Sequence, residues 1–452
     1  MIQGYPDQAS LAAGETLVLH VATDAPRFRI RIYRWHTDFA PVWESGWLRG
    51  QAACARGADE DWQWPVYRVA TAKDWPSGVY LARLHEQAAP EVPMDFAKPA
   101  ALFVVRGRGQ DPLLYKLPLA TYHAYNSSGG GCLYHNPPRS PDPPGSKVSL
   151  QRPGGGIGGE TWGAPDHYDP TSPRQTFAHW DAPFIRWLHG NGYHPEFCTD
   201  GDLDTGAVSG ARYRLMLCVG HDEYWTEGTR DAVETFVATG GHVAFFGANI
   251  CWWRIHMVDR RRAFVCHQGG PCGALDHWWP SSGAGRPEDR LTGVSYRHGG
   301  GWWDGPRATS GYRVQDADHW AFAGTGLKPG SAFGHDTTPP LVGYECDGAP
   351  LADFDAYTGR ARLAAEAESG GTPATLRLLA VAPLDGRWQE LPPREHDPAR
   401  HGLHAAVMGV YERGGTVFSA GSTDWAQVLA SGHPVVDRIT RNVLNRLQAP
   451  HR

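Results

Sequence analysis

His221 and Glu223 stand two residues apart in the run Val219-Gly220-His221-Asp222-Glu223-Tyr224-Trp225. A histidine and a carboxylate so spaced in a turn can both reach one metal ion or one substrate. A glutamate in the first turn of a helix is also favoured by the helix dipole alone, and a turn histidine can be a packing residue, so the spacing leaves both readings open. Cys218, just upstream, could be a thiolate nucleophile activated by a nearby histidine. Its place inside Leu215-Met216-Leu217-Cys218-Val219 favours a small buried hydrophobe instead. The glycine runs Gly129 to Gly131 and Gly154 to Gly159 lack the Walker spacing, and no strong strand precedes either, so the signal for nucleotides is weak.

These side chains need elements to position them. Residues 213–219 form a continuous apolar run, 226–239 have helical spacing, and 242–246 are apolar again, which reads as a βαβ unit. The helix puts Ala232, Val233, Phe236 and Val237 on one face and stops at Gly240-Gly241. In an open parallel sheet, ligands bind at the carboxyl ends of strands, where the His221 turn would lie. A helix over 176–189, a strand over 416–420 and a terminal helix with Val435, Val436, Ile439, Val443 and Leu444 on one face complete the pattern. The expected fold of residues 109–452 is α/β with a mainly parallel sheet. Two stretches keep no period: 122–169, rich in Gly and Pro, and 251–313, with Trp252, Trp253, Trp278, Trp279, Trp302 and Trp303 among glycines. Loops this long are usually functional or disordered, and the aromatic content argues for ordered ones walling a pocket.

Residues 15–105 alternate as strands do, Leu17, Leu19 and Val21 in one run and Phe28, Ile30 and Ile32 in another, with further strands at 79–84 and 101–105. They predict an immunoglobulin-like β-sandwich domain over 1–108, bounded by Arg106-Gly107-Arg108-Gly109. The chain is 452 residues, long enough for an enzyme's core. Gly 55 and Pro 36 imply many turns, yet 41% hydrophobic residues and Trp 19 exclude a disordered polymer. Net charge is −6 with no basic block, which argues against nucleic acid as a partner. No signal-like N-terminus and no apolar run approaching ~20 residues is present, so a soluble, cytoplasmic protein without membrane contact is expected. The eight cysteines, at 54, 132, 198, 218, 251, 266, 272 and 346, show no paired zinc-ribbon spacing and are expected to be mostly reduced thiols.

Five ordered motifs span residues 114–447: Thr121-Tyr122-His123-Ala124-Tyr125-Asn126, His167-Tyr168-Asp169, the Val219–Trp225 run, Gly343-Tyr344-Glu345-Cys346-Asp347, and Gly415-Thr416-Val417-Phe418-Ser419-Ala420-Gly421-Ser422-Thr423-Asp424-Trp425. In these the chain resembles the large (β) subunit of the N,N-dimethylformamidase family. The resemblance implies a catalytic domain of class I glutamine amidotransferase-like, flavodoxin-like fold, without its cysteine chemistry. It also implies a mononuclear Fe3+ held by Tyr125, Tyr168 and Glu223, with His221 and Glu345 as catalytic groups beside it. A phenol ionises near ~10 in water, so two phenolates and a carboxylate call for a strong Lewis acid, and three negative charges match Fe3+.

The expected function is therefore iron-dependent hydrolysis of the C–N bond of a small amide or formamide, Glu345 taking a proton from water and His221 serving the tetrahedral intermediate or the departing amine. Two rivals remain at this level: an amidotransferase or hydrolase using Cys218, and a non-catalytic protein that grips a carbohydrate or polymer with its aromatics. A homo-oligomer and a small partner subunit are both compatible with the sequence.

Overall fold

In a computed structural model, the alternating runs near the N-terminus become the strands Thr16–Thr23 and Arg27–Trp35. The structure describes residues 1–140, 145–163, 165–169, 173–268, 275–303, 305–307, 311–389 and 403–450; Cys272 and parts of both irregular stretches lie outside them. Two units form, one from Met1–Pro165, Thr171–Val208 and Ile255–His267, the other from Asp166–Pro170, Ser209–Arg254 and Gln268–Arg452. Among the described residues no helix is long and apolar enough to cross a membrane.

In the first unit, Ile2–Pro6, Thr16–Thr23 and Val66–Ala70 make an antiparallel sheet. A second sheet runs in the order Ser10–Leu11, Ala100–Val105, Gly78–Glu86, Arg27–Trp35, Phe39–Glu44. Both feed one core, in which Leu17, Leu19 and Val21 meet Phe28, Ile30, Ile32 and Phe103. Burying each such side chain contributes roughly 1.5–3 kcal/mol. The unit also holds a parallel pair, Leu113–Leu117 with Glu196–Thr199, and the helices Leu119–Ala124 and Asp181–Gly190.

The Gly/Pro-rich stretch is organised around Arg152. Its buried guanidinium donates to the carbonyls of Ser149, Asn126, Ser128 and His123 at 2.7–3.3 Å, tying four backbone positions to one side chain. The following glycine run is a packing device: Gly155 has φ +78, and a Cβ there would collide with the His123 ring.

In the second unit the strand Leu215–His221 pairs in parallel with His242–Ala248, which pairs in parallel with Gly415–Ser419. The intervening helix Glu227–Ala238 starts at Thr226, whose hydroxyl accepts the Thr229 N–H at 3.0 Å. It buries Val233, Phe236 and Val237 and ends before Gly240 at φ +101. From Gly415–Ser419 onward the sheet is antiparallel, continuing through Ala405–Arg413, Arg377–Pro383, Tyr312–Val314 and Ala332–Phe333. The expected mainly parallel α/β sheet of amidotransferase-like, flavodoxin-like type is thus overturned, and strand outweighs helix over the chain. The βαβ unit is real, but its direction extends no further than Gly415–Ser419. Arg413 and Gly415 are paired across Gly414 alone, and so short a link joins only antiparallel strands. The helix Pro434–Leu447 covers this unit with Val436, Ile439, Val443, Leu444 and Leu447.

Candidate active site

His221 is the last residue of Leu215–His221 and is fully buried. Backbone bonds pin the turn that follows: the Asp222 carbonyl accepts from Cys251 N–H and the Glu223 carbonyl from Trp253 N–H, both at 2.9 Å. The opposing segment, just past His242–Ala248, is bent by left-handed residues, Asn249 at φ 52 and Cys251 at φ 56. This costly backbone is held by Asp347, whose carboxylate accepts the N–H groups of Asn249 and Ile250 at 2.8 and 3.4 Å.

The bend delivers the Asn249 amide to 3.2 Å from His221 Nε2, where its nitrogen also donates to Glu345 Oε2 at 3.3 Å. Glu345 begins the strand Glu345–Gly348, paired to Ser295–Gly301. Its Oε2 lies 2.9 Å from His221 Nε2, and its Oε1 accepts the Trp303 indole N–H at 3.1 Å. Glu223 Oε2 is 3.5 Å from the same imidazole nitrogen. One nitrogen therefore faces two buried carboxylates, with exposures of 3% for Glu223 and 4% for Glu345.

Burial works against the imidazolium of His221, but the negative charges of Glu345, Glu223 and Asp222 together outweigh it and raise the pKa. Burial likewise works against the Glu345 carboxylate, and the charge and hydrogen bond of His221, with those from Trp303 and Asn249, overcome it and lower the pKa. Both directions favour an ion pair. Asp347 differs: burial dominates and lifts its pKa to about 8 despite the two backbone donors.

The motifs around Glu345 and Asp424 are laced together. Gly343 N–H donates to Ser422 Oγ, Tyr344 N–H to Asp424 Oδ2 and Glu345 N–H to Thr423 Oγ1, at 2.8, 2.9 and 3.3 Å. Asp424 also takes the Arg307 guanidinium at 2.9 Å, which reaches Asp166 at 3.5 Å. Arg307 in turn holds Tyr168. Its backbone N–H donates to the Tyr168 oxygen at 2.8 Å, the hydroxyl donates to its carbonyl at 3.2 Å, and its guanidinium lies 5.0 Å above the ring.

Of the five residues expected at the site, His221, Glu223 and Glu345 are thus brought together, and Tyr168 is fixed in the same unit by Arg307. Tyr125 belongs to the first unit, where it ends the helix Leu119–Ala124 and stacks on Tyr134 at 4.4 Å, with Trp162 beyond. Its neighbour Tyr122 gives its hydroxyl to Asp181. Cys218, fully buried in mid-strand opposite Phe245, sits as a hydrophobe would. Asn249 was not anticipated, its one available signal being an asparagine tolerant of positive φ directly after an apolar strand; Trp303 was named only among the tryptophans expected to wall a pocket, not as the donor to Glu345. Among the other tryptophans, Trp253 stacks on His277 at 4.1 Å and Trp278 lies under Arg230 at 4.7 Å.

A family model described as N,N-dimethylformamidase beta subunit-like, C-terminal, matches residues 29–438. The N,N-dimethylformamidase beta subunit of Alcaligenes sp is 26% identical over 321 residues, covering 65% of this chain and 40% of that protein. That of Paracoccus aminophilus is 27% identical over 298 residues, covering 59% of this chain and 37% of that protein. The chain therefore spans about two fifths of the length of these relatives. The resemblance read from the five motifs is borne out over most of the sequence: the chain belongs to the N,N-dimethylformamidase beta subunit-like, C-terminal family.

Proposed function

We propose that the chain carries a hydrolytic centre that cleaves the C–N bond of a small, N-substituted amide or formamide. The names of the relatives support the substrate class. The observation that carries the reading is His221 Nε2 held between two buried carboxylates, 2.9 Å from Glu345 and 3.5 Å from Glu223.

Glu345 has the geometry of a base. Trp303 and Asn249 fix its carboxylate, and it accepts the proton of the attacking water. His221, with its imidazolium favoured, is the donor, stabilising the oxyanion or protonating the departing amine. An amine leaves poorly unless protonated, so the pair supplies the two proton transfers that amide hydrolysis needs. Exclusion from water strengthens each of these interactions.

The proposed holders of a ferric ion are Tyr125, Tyr168 and Glu223. Their donor atoms are three oxygens, a set that suits a hard cation rather than a thiolate-seeking metal. The buried carboxylate of Glu223 supports its part in this set, and the Arg307 N–H that Tyr168 accepts would stabilise a phenolate there. When bound, the ion would polarise the amide carbonyl and acidify a water molecule.

Elemental analysis of the purified protein, with a visible spectrum, tests the centre, and turnover of a panel of formamides and acetamides tests the reaction. Stoichiometric iron with a tyrosinate charge-transfer band and amide turnover is expected. A colourless protein that gains no iron and hydrolyses no amide would sink the reading.

A further inference from the structure

We infer that the Tyr296 hydroxyl donates a hydrogen bond to the carbonyl oxygen of the substrate, and to the oxyanion formed from it, at the site of His221 and Glu345. The inference rests on the hydrolytic reading of that site. Tyr296 is 2% exposed, and its hydroxyl has no hydrogen-bond partner among the described residues. A buried tyrosine hydroxyl usually finds a partner, and leaving one unmade costs about 1–3 kcal/mol. A side chain that bears such a cost beside a reactive centre is a candidate ligand-binding group.

Its position follows from the strand register. Ser295 lies opposite Gly348, Gly300 opposite Cys346 and Gly301 opposite Glu345, so extra residues bulge between Ser295 and Gly300 and re-aim the side chains there. A Cβ at Gly301 would lie 2.6 Å from the Tyr296 oxygen and 2.6 Å from the Trp303 ring. Glycine therefore leaves space for the hydroxyl over the residue facing Glu345, beside the indole that holds the Glu345 carboxylate. The ring packs against Trp252, edge to face at 5.3 Å. Burial first, then the charges of Glu345 and Glu223, hold the phenol well above its ordinary pKa, consistent with a neutral donor.

The chemistry asks for such a group. When water adds to the amide, the carbonyl π bond breaks and its electron pair collects on oxygen. When the intermediate collapses, that pair re-forms the bond and the amine leaves with a proton. Tyr296 transfers no proton in this sequence; it stabilises the oxygen while the charge is there.

The test is Tyr296→Phe in the full chain, which deletes the hydroxyl and keeps the ring against Trp252. Expected are a fall in kcat of about a hundredfold, as for other single oxyanion donors, a KM within about twofold, and a thermal midpoint unchanged or raised, since no internal hydrogen bond is lost. Unaltered kcat in the variant of an active parent would overturn the role of Tyr296 and leave the hydrolytic reading standing. A midpoint that drops along with kcat would also overturn it, by showing the hydroxyl to be structural. A parent inactive on every amide would overturn both.

Discussion

The strand Arg27–Trp35 and the second unit place charge in opposite ways. On the strand Arg27–Trp35, Phe28, Ile30 and Ile32 are fully buried, while Arg29 and Arg31 lie on the wetter face and pair with the half-exposed Glu44 and Glu91. In the second unit, His221, Glu345, Asp347 and the Arg307–Asp166–Asp424 set are all inside. Exposed ion pairs contribute about 0–1 kcal/mol, whereas a buried one gains little net stability but costs about 3–5 kcal/mol when broken. The strand Arg27–Trp35 keeps its arginines toward solvent. The second unit buries carboxylates, an imidazole and a guanidinium together, with the bonds that satisfy them.

The contrast can be broken at several points. The largest effects belong to the site. Glu345→Gln should lower kcat about 10²–10⁴-fold, and Glu223→Ala should remove both iron and activity. Steady-state kinetics with metal analysis checks both, and an iron-loaded, active Glu223→Ala protein would refute that ligand. Next comes Arg307→Ala, which takes the guanidinium from two buried aspartates and should cost about 3–5 kcal/mol in denaturant unfolding. A loss under about 1 kcal/mol would erase the distinction between the two regions.

A pH effect on stability should follow from Asp347. Its folded pKa of about 8 lies above the unfolded value near ~3.9, so the folded state binds the extra proton between them. Its contribution is complete below about pH 4 and is lost as pH rises through about 8. Asp347→Asn should flatten that part of the unfolding profile, and an equally steep profile in the variant would exclude this source. The smallest effect is expected for Arg31→Ala, about 0–1 kcal/mol in the same unfolding assay.

Much of the site was legible because it is local. His221 and Glu223 follow an apolar strand and precede a helix whose face, cap and stop are all written in neighbouring residues. Glu345 was reached through its motif, although its function as half of a pair with His221 needs two segments distant in sequence. Asn249 and Trp303 act across the same distance, with no periodicity to mark them. Sheet direction failed for a related reason: the βαβ unit announces parallel pairing, but Val243 opposite Val417 and the reversal at Gly414 are set by long-range partners. Nor could the run from Gly154 to Gly159 show that its glycines accommodate the side chains of Tyr122, His123 and Asn126.

The pairing of His242–Ala248 with Gly415–Ser419 also has a consequence for synthesis. While the ribosome is still making the intervening residues, the strand beside the His221 strand has emerged without its partner, and its apolar edge can template pairing with other chains. Completion of the sheet must wait for a segment made much later, so the nascent second unit passes through a long, aggregation-exposed interval. Slower expression or chaperone capacity should therefore raise the yield of folded protein more than any stabilising change in the sheets of residues 2–105.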